Sequence, residues 1–131
     1  MSKMKITSVL LFCAASSATA FTTSADDQLM FFATCAGRLS ATMEHQWVYD
    51  TASADTTSAQ RTEMIDLVSA VMPAESGRDV LSARIAAKHA QAGLLTRATL
   101  SWDTSEAEWA QARASALLSE CTSVLIGSDT E

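Results

Sequence analysis

The chain has 131 residues, nine Lys and Arg against fifteen Asp and Glu, a formal net charge of −6 and a hydrophobic share of 48%. That length suits one hydrophobic core, which is normally built at roughly 100 to 150 residues, rather than two. The acidic balance excludes nucleic acid and anionic lipid as first partners, because both repel a chain of their own sign.

Residues 1–20 have the form of a secretory signal peptide. Met1 to Lys5 is a short basic start, Ile6 to Ala15 is mostly apolar, and Ala18-Thr19-Ala20 supplies the small-residue cleavage pattern. The mature protein is expected to begin near Phe21, with residues 21–131 forming a single helical domain located in the periplasm or secreted. Losing Lys3 and Lys5 leaves seven basic residues against fifteen acidic ones, a mature net charge of −8. The run from Ile6 to Ala15 is too short for the roughly 20 residues of a spanning helix, so no stable membrane insertion is expected after cleavage. Retention of the leader as an anchor is the alternative. The bulky Phe12 argues against acylation of Cys13.

Apolar residues then recur three or four apart at Leu29, Phe32, Ala36, Leu39, Met43 and Trp47, which predicts one amphipathic helix over Ala25 to Tyr49. Ser24 suits its N-cap, and Asp26 and Asp27 favour the positive end of its dipole. Asp50 to Ser58 has no large apolar side chain to anchor it, so a loop is predicted there. Thr57 with Gln60 three residues on has the form of a capping box. Met64, Leu67, Val68 and Val71 follow as a short stripe, which Pro73 stops near Met72.

A third helix is predicted from Ser76 to Arg78 until about Thr99, with Leu81, Ile85, Ala92 and Leu95 on its buried face. Ser101 to Thr104 is the next break, and Asp103 with Glu106 marks an acidic helix start. Trp109, Ala112, Ala116, Leu117, Cys121, Val124 and Leu125 are predicted to carry the buried face of this fourth helix, and Gly127 suits a left-handed terminus. Nowhere do β-branched and aromatic residues alternate with polar ones over more than about four positions, so no strand is predicted.

Four helices with short connections bury their apolar faces most simply against one another. The expected fold is all-α, a small antiparallel four-helix bundle with one disulfide, preceded by the signal peptide. Such a bundle sets the first and last helices side by side in opposite directions, and Cys35 and Cys121 fall at similar heights along them. Ala36, Gly37 and Ala116 leave room for the Cα approach of roughly 4.4 to 6.8 Å that a disulfide needs. The alternative is a pair of buried thiols. A redox role lacks the Cys-x-x-Cys spacing that activates a thiol.

Signs of chemistry are sparse. His45 and His89 belong to different helices and neither has a Glu three residues away, so no metal site is expected. Covalent haem lacks its Cys-x-x-Cys-His run, and Met30 and Met43 read as core filler rather than as haem partners of His89, so no cofactor is expected. There is no Ser-His-Asp arrangement, Gly-rich phosphate loop or carboxylate pair, and no catalytic residue is assigned. Trp47, Trp102 and Trp109 fall near helix ends or loops, where large rings are expected to close off the core, the alternative being a binding surface.

Charge is uneven in one place. The third helix holds Arg78, Arg84, Lys88 and Arg97, four of the seven mature cations, against the single acid Asp79. Arg84 and Lys88, four apart, share a face, with Gln91 close by. One expectation is that the strip only lies alongside Glu63, Asp66, Glu106, Glu108 and Glu120 of the second and fourth helices. The other is an anion or partner site built on Arg84, Lys88 and Gln91, joined by Arg38 in an enzyme-like form. The function expected is that of an exported, non-enzymatic accessory or protein-binding protein whose partner is another envelope protein. The alternative is a binder of small anions, or a minor helical enzyme, using the same strip.

Overall fold

The computed structural model describes residues 23–125, so the predicted leader, Cys13 and Gly127 lie outside the described residues. Four α-helices carry that chain: α1 (Ala25–Tyr49), α2 (Thr51–Val71), α3 (Gly77–Leu100) and α4 (Thr104–Thr122), with a 3-10 turn at Ala74–Ser76. No strand occurs among the described residues. Two starts follow from local chemistry that the sequence shows. The Ser24 hydroxyl accepts the Asp27 amide at 3.1 Å, and the Asp103 carboxylate accepts the Glu106 amide at 3.2 Å.

The start of α2 departs from expectation. Residues 51–58, predicted as a loop, are its first two turns, and the chain reverses over Asp50 alone. Thr57 is therefore not a cap: it is buried inside the helix and its hydroxyl donates to the Ser53 carbonyl at 3.2 Å. A large side chain is not needed here because Ala54 and Thr57 bury themselves where α2 comes close to α1.

Specific contacts fix the helix directions. Arg61 Nε donates to Ser40 Oγ at 2.7 Å across the α1–α2 hairpin. Arg38 reaches the Leu117 carbonyl and Glu120, and Cys35 meets Cys121, so α4 runs antiparallel to α1. Going up α1, Gly37 meets Arg84 and Lys88, Thr42 meets Gln91 and His45 meets Thr99, so α1 and α3 run parallel. These two helices share the most extensive packing, whereas α2 packs extensively on α1 alone and α4 mainly on α3. The helix packing is consistent with a bundle, in which the parallel pair α1 and α3 makes the most extensive contact and α1 and α4, expected side by side, touch only slightly.

That seam explains which faces are buried. From Cys35 to Met43 only Arg38 escapes full burial, so α1 is a central helix rather than one with a single apolar stripe. Its Ala33, Ala36, Gly37, Ser40 and Ala41 let neighbouring backbones approach. Close approach then selects small side chains on the facing helices. On α3 the buried residues are Val80, Gln91 and Leu95, while the expected core residues Leu81 and Ile85 are exposed. On α4 they are Ala110, Ala114 and Cys121, while Trp109, Ala112 and Ala116, and Val124 just beyond the helix, are exposed.

The large apolar core occupies one half of the bundle. It gathers Leu29, Phe32 and Leu39 of α1, Met64 and Val68 of α2, Val80 of α3, and Leu125 after α4. In the same half Cys35 and Cys121 are fully buried, with sulfurs 2.06 Å and Cα atoms 5.3 Å apart. The other half is closed by Met43 and Leu95 with the small Ala41, Ala54, Ala110 and Ala114, together with the polar Thr42, Thr57 and Gln91. No helix among the described residues is long and apolar enough to cross a membrane.

Candidate functional site

The three residues singled out on α3 do not converge. Arg84 and Lys88 enter a groove floored by α1 and walled by α2 and α3, whereas Gln91 is buried in a cleft between α1, α3 and α4. The groove has a volume of about 180 Å³ and is lined by Gly37, Ser40 and Glu44 of α1, Arg61 of α2, and Leu81, Arg84, Ile85 and Lys88 of α3. It exists because α1 packs extensively on both α2 and α3 while these two do not pack extensively on each other.

Its floor is set by Gly37. A β-carbon there would lie 2.3 Å from the Arg84 carbonyl oxygen and 3.0 Å from the Lys88 nitrogen, so only glycine lets α3 sit this deep. Arg61 is aimed by its Nε bond to Ser40 Oγ at 2.7 Å, and Ser40 in turn donates to the Ala36 carbonyl at 2.7 Å. Lys88 Nζ bonds Glu44 Oε1 at 2.6 Å, with both side chains more than 40% exposed, so the pair adds at most about 1 kcal/mol. None of the acids expected along the strip pairs with it: Glu120 takes Arg38 at 3.3 Å, and Glu106 takes the Ser101 hydroxyl at 2.9 Å. Arg84 has no carboxylate partner among the described residues.

The groove thus holds three cationic groups against one carboxylate in a chain whose overall balance is acidic. Arg61 is the member that sequence reasoning missed, because the groove forms only once α2 folds back over α1. Arg38 does not join it; its guanidinium turns to α4, where it meets the Leu117 carbonyl, Glu120 and the Cys121 sulfur.

The cleft on the other side of the seam is polar. Gln91, only 1% exposed, donates from Nε2 to the Ala114 carbonyl at 3.2 Å and to Thr42 Oγ1 at 3.4 Å. His45 Nε2 lies 2.9 Å from Thr99 Oγ1, and since Thr99 donates its own proton to the Leu95 carbonyl, the histidine is the donor. His89 is exposed on α3. Among the described residues no group of three His, Cys, Asp or Glu side chains is placed to hold a metal ion.

The tryptophans do not close the core. Trp102 is fully exposed and Trp47 and Trp109 are each 56% exposed, beside the exposed Val48, Tyr49 and Leu100 at the end where α1 and α3 finish. Comparison with protein-family models, with curated proteins and with solved structures finds no match.

Proposed function

We propose that this is an exported, non-enzymatic binding protein whose basic groove receives an acidic, partly apolar segment of another envelope protein. The observation that carries this reading is the exposure of Leu81 (55%) and Ile85 (48%) directly beside Arg61, Arg84 and Lys88. A segment carrying carboxylates and apolar side chains uses both features, as an amphipathic helix does when it lies in a groove. Buried apolar contacts supply the affinity, and complementary charge supplies orientation and capture rate. With a mature charge of −8, this patch is a local exception that an acidic partner can find.

Export belongs to the same reading. A leader of the observed form and a cysteine pair at bonding distance both fit an oxidising compartment, the periplasm or the exterior. The second reading is a small-anion binder at the same groove, favoured by the Arg84 guanidinium, which has no carboxylate partner among the described residues. The two separate by experiment. The protein-partner reading predicts that Arg84→Glu abolishes capture of one specific envelope partner, while phosphate and citrate leave the melting temperature of the mature protein unchanged. A melting rise with either anion, lost in Arg84→Glu, would favour the anion binder instead.

A further inference from the structure

We propose that the cleft between α1, α3 and α4 is a binding site for a small primary ammonium compound. This site is independent of the basic groove, from which the α1–α3 seam separates it. It encloses about 280 Å³, at the small end for ligand pockets, and opens to solvent between helices.

The decisive feature is a buried acceptor with nothing to accept. The Ala114 carbonyl can only accept, and Thr42 Oγ1 donates its own proton to the Arg38 carbonyl at 2.9 Å, so both partners require the nitrogen end of the Gln91 amide. The orientation of the amide is thereby fixed, and its Oε1 is left buried without a hydrogen-bond partner among the described residues. An unmade hydrogen bond at a buried carbonyl is costly, and native structures rarely leave one without a role. Gln46, whose Oε1 is likewise buried without a hydrogen-bond partner among the described residues, also lines the cleft.

The rest of the lining says what kind of donor is wanted. Asp50 brings a carboxylate, and no Lys or Arg lines the cleft to neutralise it. A ligand there must supply hydrogen-bond donors, and the carboxylate favours one that carries positive charge. Leu95, Ala114 and Leu118 provide an apolar wall for a short alkyl stem. A primary ammonium on a short alkyl stem brings three N–H donors, a positive charge and apolar methylenes, which match amide oxygens, a carboxylate and that wall. An anion would face the Asp50 carboxylate with no Lys or Arg beside it. The donors in the lining, the Gln46 and Gln111 amides, the Ser115 hydroxyl and His45, are neutral polar groups or, for His45, already engaged with Thr99. The Asp50 carboxylate is held at the α1–α2 junction by the Ser53 hydroxyl at 2.6 Å, so this acceptor is already positioned.

The test uses the full mature protein and putrescine as the probe, with butane-1,4-diol as its uncharged counterpart, read by calorimetry and by melting temperature. Putrescine is expected to bind in one equivalent and to raise the melting temperature by mass action, with the diol at least about tenfold weaker. Gln91→Met and Asp50→Asn are each expected to weaken putrescine by about tenfold or more, and Asp50→Asn keeps the acceptor for Ser53 should the Gln91 variant fold poorly. Arg84→Glu, in the separate groove, should leave putrescine binding unchanged. Absence of putrescine binding, equal binding of the diol, or binding that survives Asp50→Asn undiminished would overturn the proposal and leave the cleft to water.

Discussion

Gly37 lies directly beneath the Arg84 carbonyl: a β-carbon on this residue would stand 2.3 Å from that oxygen, closer than side-chain carbons approach backbone. The contact holds the parallel pair α1 and α3 together and sets how deep the basic groove is. It also makes Gly37 a position where a single methyl group must push two helices apart.

Gly37→Ala is therefore expected to destabilise the protein by about 1 to 3 kcal/mol, the usual cost of overpacking, despite the better helix propensity of alanine. Gly93, in the same class of helix-interior position on α3 but with nothing within 4 Å of its would-be β-carbon, is the control. Gly93→Ala should be neutral or stabilise by about 0.5 to 1 kcal/mol. Chemical denaturation of the two variants checks the contrast, and equal effects would deny the close approach.

Cys35 and Cys121 are 86 residues apart in sequence and fully buried against each other. Thiol titration of denatured, unreduced protein lacking residues 1–20 is expected to find no free cysteine. Reduction should lower unfolding free energy by up to about 4 to 5 kcal/mol, the loop-closure value for a chain of this span. Two titratable thiols would show that the pair is not bonded, and would remove one support for export.

The exposed tryptophans predict an unusual emission signature. Trp102 is fully exposed and Trp47 and Trp109 are half-exposed, so the native fluorescence should already lie near that of unfolded protein and be readily quenched by acrylamide. A blue-shifted native spectrum that moves sharply red on unfolding would place the rings inside. In that case something must cover the end where α1 and α3 finish.

What was legible in the sequence was what local chemistry or overall topology decides. The Ser24 and Asp103 caps depend on residues three apart, and the α1 stripe from Leu29 to Met43 follows the helical period. The Cys35–Cys121 pairing follows from helix order and height alone. The first turns of α2 were not legible, because Ala54 and Thr57 are buried by close backbone approach rather than by size. The same effect exposed Leu81, Ile85 and Trp109 where a pattern of large apolar residues places the core. Gln91 parted from Arg84 and Lys88 because it lies about 10 Å of helix rise past Arg84, on the part of α3 that α4 covers. Arg61 joined them through a fold-back that no spacing along the chain reveals.

The most direct measurement is photo-crosslinking in living cells from a reactive residue placed at Leu81, compared with one at Arg113, which is exposed on α4. A groove that receives an acidic envelope partner predicts one discrete adduct from position 81 and not from 113, mapping to a segment rich in Asp or Glu, and lost when Arg84→Glu is added. No adduct at 81, or one that Arg84→Glu leaves intact, would contradict it.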